Sequence, residues 1–368
     1  MQRLEIQQFP LWDRLKIRRS PLSFDLEVTA RCNCHCRHCY INLPANDPEA
    51  RAKELTTAEI LDIGGQAAEL GAIWCLVTGG EPLLRDDFAD IYLGLKRLGL
   101  LVSVFTNATI IRPEHIALFK QYPPRDIEIT VYGSNSASYE GVTRKPGTFA
   151  AFQRGLEGLV AAGLKVRLKA MAIRSNIDDM EAIATFSRAH TKDYYRYDPQ
   201  LHLRYDGDAS RNEEIQQERL TPDEIVELEQ ADTQRLGMLH ESQDSLINEA
   251  FTHMNCNHLF HCGAGNAGFT VGYDGTFRLC SSLCAPGTTI NLRQVRLREV
   301  WETWVPWVRD LRSHNPEYLS TCRQCPIVNL CLHCPAHAHL ETGAMDGATP
   351  YFCAVAHARA ASLENTAV

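Results

Sequence analysis

Apolar and polar positions begin to alternate at Ser23. Phe24, Leu26 and Val28 are apolar and Asp25, Glu27 and Thr29 polar, which predicts a strand with one buried face and one polar face. A polar loop at 42–53 leads to a helix. Its start is marked by Thr56 and Glu59, a Thr-x-x-Glu capping box ahead of Ile60, Ile63 and Ala67. The short apolar run at 72–77 predicts a buried strand. The pattern then repeats. Helices are expected at 87–98, 113–120, 148–162 and 178–190, and strands at 101–105, 127–131 and 166–172, with a sixth within 194–203.

Six strand–helix units imply a parallel sheet, and right-handed crossovers curl such a chain into a barrel or part of one. The fold class is α/β, a partial (β/α)6 TIM-like barrel. A closed eight-stranded barrel packs its lumen with bulky apolar side chains. Here Glu27, Glu128, Arg167 and Lys169 fall on one face, which fits a wider, incomplete barrel around a wet chamber. The alternative is a doubly wound sheet with these residues facing solvent. Residues 1–20 read as a lead-in, 21–206 as the barrel and 207–255 as a polar linker followed by a helix that Thr221 caps and Pro222 opens. From Cys256 the composition turns to Cys, Gly and His, so 256–368 forms a second domain.

The chain has 368 residues, 45% hydrophobic and 22% charged, as expected of a soluble globular protein. A net charge of −8 gives no sign of a nucleic-acid surface. No run approaches the ~18 apolar residues of a membrane span, and the N-terminus lacks a signal-peptide core. The protein reads as cytoplasmic. Fourteen cysteines in a reducing compartment point to metal or redox chemistry.

Cys32, Cys34, Cys36 and Cys39 lie within eight residues, just beyond the first strand. Cys32, Cys36 and Cys39 have the spacing Cys-x3-Cys-x2-Cys. Three thiolates on a 4Fe–4S cube leave the fourth iron open to a substrate or cosubstrate; zinc, which favours Cys-x2–4-Cys pairs, is the alternative. With Thr29 ahead and His38 at the usual aromatic position, the run resembles the signature of radical S-adenosylmethionine (SAM) enzymes. Gly79-Gly80-Glu81-Pro82, ending the second strand, resembles their Gly-Gly-Glu-Pro element, which engages the SAM amino group. The resemblance implies SAM on the open iron, Tyr40 beside the adenine, and SAM contacts from Gly79, Gly80 and Glu81. Asn107 stands where the family has Thr-Asn-Gly, with Ala108 replacing Gly. Thr130 keeps the hydroxyl of Ser-x-Asp-Gly, although Tyr132 replaces its acid. Arg144 stands at the distance of the arginine that pairs with the SAM carboxylate.

A second cysteine field follows Cys256. Cys262 precedes apolar stretches joined by Asp274-Gly275, a strong hairpin signal, which returns the chain to Cys280. Cys322-x2-Cys325-x5-Cys331-x2-Cys334 and Cys353 come later. A zinc ribbon needs ~15–20 residues between its pairs, more than separate Cys325 and Cys331. The field resembles the SPASM domain, a C-terminal extension with two auxiliary clusters, and implies a C-terminal Cys-rich SPASM domain here. The implied partition gives Cys256, Cys262, Cys280 and Cys334 to one cluster and Cys322, Cys325, Cys331 and Cys353 to the other, three 4Fe–4S clusters in all. Cys334 comes one residue earlier than the pattern requires, and Cys284 is the alternative ligand. Of the cysteines left over, Cys75 reads as core. Cys284 reads as a loop cysteine or as a hydrogen-atom donor at the catalytic site. His333, His337 and His339 read as surface residues or as neighbours of the ligands.

The resemblance implies reductive cleavage of SAM to a 5′-deoxyadenosyl radical that takes a hydrogen atom from the substrate. The electron comes from a low-potential donor of flavodoxin or ferredoxin type. SPASM relatives mostly modify ribosomally made peptides or proteins, so a peptide or protein substrate is expected; either a separate protein recognises it or the substrate is small. Ser281 follows Cys280 where sulfatase-maturing relatives carry a basic Asp, which lowers that option. Cofactor or tetrapyrrole maturation on a small molecule is one alternative. An iron–sulfur electron carrier without SAM chemistry is another.

Overall fold

The computed structural model describes residues 19–247, 256–331 and 333–365. Most of the 1–20 lead-in and the end of the 207–255 segment therefore lie outside the described residues. Six parallel strands carry the barrel: β1 (Ser23–Thr29), β2 (Trp74–Gly79), β3 (Leu101–Thr106), β4 (Ile127–Thr130), β5 (Val166–Met171) and β6 (Arg196–Asp198). Each pairs with the next, and the crossovers carry helices, among them Thr57–Glu69, Phe88–Arg97, Thr148–Ala161 and Met180–His190. The capping box holds: Thr56 accepts from the Glu59 amide, and Glu59 accepts from the Thr56 amide.

Period-2 alternation divides the sheet as expected. Phe24, Leu26, Val77, Val102, Val104, Ile127, Ile129 and Leu168 are buried in the core shared with the crossover helices. Asp25, Glu27, Thr78, Phe105, Glu128, Thr130 and Lys169 line a cavity on the opposite side. Arg167 is an exception. It is not in the cavity wall and pairs with Asp126, Glu128 and Asp193.

The sheet continues past the sixth unit. Strand β7 (Gly268–Val271) lies parallel to β1 and forms an antiparallel hairpin with β8 (Thr276–Arg278), which pairs with β9 (Ile290–Asn291). Gly275 has φ +87 in the Asp-Gly turn, a value glycine adopts without strain. The C-terminal hairpin is thus part of a nine-stranded sheet, open at β9 and β6.

Several helices were not foreseen, among them Pro48–Lys53, inside the stretch read as a polar loop, and two that bear on the site. Ser136–Thr143 is capped by Asn135. Ala209–Glu218, within the stretch read as linker, is capped by Asp208, which accepts from the Arg211 amide. Only Ile215 and Glu218 of the latter are buried, so it carries no apolar stripe for the sequence to reveal. Pro222–Ala231 follows with the predicted Thr221 cap.

Candidate cofactor chamber and cysteine fields

A cavity of about 430 Å³ opens at the C-terminal ends of the barrel strands, the end at which parallel α/β folds bind ligands. Cys32, Cys34, Cys36, His38, Cys39 and Tyr40 form one part of its wall. Cys36 is only 4% exposed. Burial, then the neighbouring Cys39 and Cys32, push its thiol well above the usual range. Among the described residues no three His, Cys, Asp or Glu side chains close on a single-ion site. Thiols that each bind a different iron stand farther apart than ligands sharing one ion.

Cys34, left over from the spacing argument, also lines the chamber. Asn107 Nδ2 lies 3.8 Å from Cys32 Sγ and 3.7 Å from Cys34 Sγ, and donates to Asn33 Oδ1 at 2.9 Å. Asn107 is thereby tied to the cysteine loop from the end of β3. Ala108, at the family's glycine position, has φ +58, a backbone state that disfavours any Cβ.

Gly79 and Gly80 line the cavity, but their lack of side chains serves another contact. A Cβ on Gly79 would stand 2.2 Å from the Thr29 carbonyl oxygen, and one on Gly80 2.3 Å from that of Arg31. The Gly80 amide donates to Thr29 O at 2.7 Å and the Glu81 amide to Arg31 O at 2.8 Å. The glycines seat β2 against the backbone that leads into the cysteine loop.

Glu81 is fully buried and absent from the cavity wall. It accepts from Thr106 Oγ1 at 2.8 Å, the Asn107 amide at 2.8 Å and the Leu83 amide at 3.1 Å. Burial pushes its carboxyl up to about 7 against those three donors. The Glu81 carboxylate, implied as a SAM contact, is therefore already occupied, joining the ends of β2 and β3.

Thr130 and Tyr40 line the chamber. The Tyr40 hydroxyl donates to Glu27 Oε1 at 3.3 Å, and its ring lies 4.9 Å from that of His202. Arg144 is outside the wall. It ends Ser136–Thr143 in the left-handed region and binds Glu214 Oε1 at 2.6 Å.

The chamber's charges are mostly matched. Glu27 is paired with Arg278 and Glu128 with Lys169 at 3.1 Å, Arg167 at 3.3 Å and Arg196 at 3.4 Å. Asp25 has no ion pair among the described residues. Burial raises its carboxyl to about 6, against Lys169, Arg278 and a hydrogen bond to Thr270. Asp25 also lines a smaller adjoining cavity with Cys280 and Ser281.

In the second field, Cys322, Cys325, Cys331 and Cys353 come together. Burial, then Cys353, Cys322 and Cys325, raise the Cys331 thiol to about 12. Cys262, Cys280 and Cys334 form another group; burial chiefly, with Cys280 and Cys262, raises Cys334 to about 11. Cys256 makes a contact of its own. Its Sγ is 2.8 Å from His258 Nδ1, and His258 Nε2 is 2.8 Å from Asp310 Oδ1. Cys284 is half-buried and in neither cavity wall. Cys75 is core. His337, read as surface or as a neighbour of ligands, packs between His202 and Phe352 at 5.3 and 5.0 Å.

Residues 26–187 match the model of the radical SAM superfamily. Residues 26–187 are a radical SAM domain. It makes the chain an enzyme, one that works with SAM and a 4Fe–4S cluster. The AdoMet-dependent heme synthase of Methanosarcina barkeri is 26% identical over 352 residues, 88% of this chain and 94% of that protein. The mycofactocin maturase MftC of Mycolicibacterium smegmatis is 29% identical over 171 residues, and the match spans 46% of this chain and 42% of the maturase. Among solved structures, SuiB of Streptococcus suis bound to its precursor peptide SuiA superposes with a TM-score of 0.68 at 16% identity, covering 93% of this chain and 78% of SuiB. The partial barrel has the fold of SuiB.

The radical SAM chamber suits its cofactors. Burial pushes up the Cys36 and Cys39 thiols, and the contact with Cys34, then burial, pushes up Cys32, a donor set that bound iron would relieve. His38 Nδ1 is buried without a hydrogen-bond partner among the described residues, and burial lowers that imidazole to about 4. A neutral ring with an unmet polar edge beside the cysteines suits a nucleobase. No helix among the described residues is long and apolar enough to cross a membrane.

Proposed function

We propose that the protein modifies a peptide or protein substrate, as in the maturation of ribosomally made peptides. The chamber wall supports this reading most. Of its carboxylates, Asp25 and Asp198 form no ion pair among the described residues, although Lys169 and Arg278 act on Asp25 at longer range. Such a wall disfavours a tetrapyrrole carrying several carboxylates, because like charges repel strongly in a partly buried site. It suits a neutral or cationic side chain presented by a peptide. MftC is a maturase by name, and SuiB has been solved with a precursor peptide.

Cys32, Cys36 and Cys39 would hold the cluster, and Tyr40, His38, Gly79, Gly80, Asn107 and Thr130 would surround SAM. Bound there, the two supply one-electron cleavage of SAM and a radical able to take a hydrogen atom. The chain's own residues bind, orient and screen: the aromatic wall of Tyr40, Phe105, Tyr132 and His202 excludes water, and the Glu128 and Glu27 ion pairs fix the polar floor. Cys322, Cys325, Cys331 and Cys353 would hold one auxiliary cluster. Cys262, Cys280 and Cys334, with Cys256 as fourth ligand, would hold another. All fourteen cysteines are free thiols, which suits a reducing cytoplasm; a low-potential electron donor and a separate recognition protein would work alongside.

Tetrapyrrole maturation stays as a second reading, because the match to the heme synthase runs through 88% of the chain. The test is anaerobic incubation of iron- and sulfide-reconstituted protein with SAM and dithionite. A Cys- or aromatic-rich peptide encoded beside the gene is expected to stimulate 5′-deoxyadenosine release and to change mass. Stimulation by a tetrapyrrole instead would transfer the assignment, and no 5′-deoxyadenosine under any condition would leave only an electron carrier.

A further inference from the structure

The loop that carries Cys32, Cys36 and Cys39 has little structure of its own. It supplies the backbone bond from the Cys39 amide to the Cys36 carbonyl at 3.3 Å. Two arginines from distant parts of the chain hold it. Arg204, 2% exposed, lies just beyond β6. Its Nη1 donates to Cys39 O at 3.2 Å and to Asn42 O and Oδ1 at 3.3 Å each, while Asp206 accepts from its Nε at 3.0 Å. Arg211, on Ala209–Glu218, donates from Nη2 to Cys36 O at 2.7 Å and Asn42 Oδ1 at 3.0 Å, and from Nη1 to Glu214 Oε2 at 2.8 Å. Two guanidinium forks thus grip the carbonyls of two of the three cysteines, with Asn42 shared between them.

The surrounding charge is uneven. Lys145 Nζ donates to Asn33 O at 2.9 Å, and Arg144 shares Glu214 with Arg211. Arg144, Lys145, Arg204 and Arg211 stand with the carboxylates Asp206 and Glu214, Arg37 of the loop pairs with Glu218, and Glu81 lies near Cys32.

We propose that Arg204 and Arg211 are positioning residues that hold Cys36 and Cys39 for the iron–sulfur cluster and favour its reduced form. Reduction adds one electron from a low-potential one-electron donor to the cluster; no bond breaks and no proton moves. A cluster with three thiolate ligands becomes more anionic as it is reduced, so fixed positive charge nearby stabilises that state. Charged-group hydrogen bonds to the ligand carbonyls fix the loop before iron arrives. The inference rests on the radical SAM domain and holds whatever the substrate.

The test uses the full chain, reconstituted anaerobically with iron and sulfide and titrated with dithionite. The SAM-binding cluster is followed by the part of the electron paramagnetic resonance signal that changes when SAM is added. In Arg211→Gln and Arg204→Gln, the ratio of reduced to oxidised cluster at a fixed poise is expected to fall about tenfold, which is 59 mV for one electron. Arg211→Lys, which keeps the charge but not the fork, is expected to recover most of that ratio. In the apoprotein, amide hydrogen exchange over 33–39 is expected to quicken in both Gln variants. Arg51→Gln, an exposed pair with Asp86, is the control. Because Arg204 is buried, the Arg211 pair of variants decides the matter if Arg204→Gln does not fold. An unchanged ratio and unchanged exchange in Arg211→Gln would overturn the proposal, and so would an equal shift in Arg51→Gln.

Discussion

Glu27 and Arg278, 251 positions apart in sequence, form a buried ion pair between β1 and the C-terminal hairpin. Their side chains are 1% and 3% exposed. Burial pushes the Glu27 carboxyl up, opposed by the Arg278 guanidinium and the Tyr40 hydroxyl. Breaking such a pair leaves an uncompensated charge indoors, at ~3–5 kcal/mol. Glu27→Gln and Arg278→Met are each expected to lose that much in urea unfolding. The double variant is expected to lose less than the sum, because no lone charge remains.

Gly80→Ala is expected to disturb the cysteine loop and not merely the strand end. Its new Cβ would meet the Arg31 and Ala30 carbonyl oxygens at 2.3 and 2.6 Å. Forced overpacking of this kind costs about 1–3 kcal/mol. Iron bound after reconstitution is expected to fall along with the melting temperature. A drop in melting temperature with full iron loading would separate the strand from the loop.

Asp25 gives a pH dependence. Its folded carboxyl is raised from 3.8 to about 6, chiefly by burial. The folded state therefore holds a proton that the unfolded chain has already released. Its contribution to stability is complete below pH ~3.8 and is lost as pH rises through about 6. The loss is at most about 3 kcal/mol. Asp25→Asn is expected to gain on the wild type across that interval in thermal melts of the apoprotein, and to keep the full gain, without further increase, above pH 7.

Arg144→Ala is expected to leave SAM affinity unchanged, within about twofold, in equilibrium dialysis with the reconstituted protein. Arg144 is committed to Glu214 and lies outside the chamber wall. Cys284→Ala is likewise expected to give the same product, since its thiol reaches neither cavity.

Much of the barrel was legible because its signals are local. Alternation in 24–29 and 166–171 set the polar face toward the chamber, and Thr56 and Glu59 announced a helix start that the structure reproduces. The cysteine spacings were legible for the same reason. What escaped depends on distant contacts. Gly79 and Gly80 suggest close approach to a ligand, yet their neighbour is the backbone at 29–31, some fifty positions earlier. Glu81 looks like a free acceptor until Thr106 and Asn107 fold onto it. Ala209–Glu218 looks like linker because its polar side chains serve the cysteine loop instead of a core. Cys34 was set aside by spacing, although the loop carries it into the chamber.

The pairing of β7 with β1 also bears on how the molecule is made. During synthesis the first strand leaves the ribosome early, but the partner for its outer edge emerges only after some 240 further residues. Until then that edge offers unpaired amides and carbonyls to any passing strand. Truncated or stalled chains should therefore aggregate where the finished protein does not, and a chaperone holding the nascent chain would have to cover Ser23–Thr29 in particular.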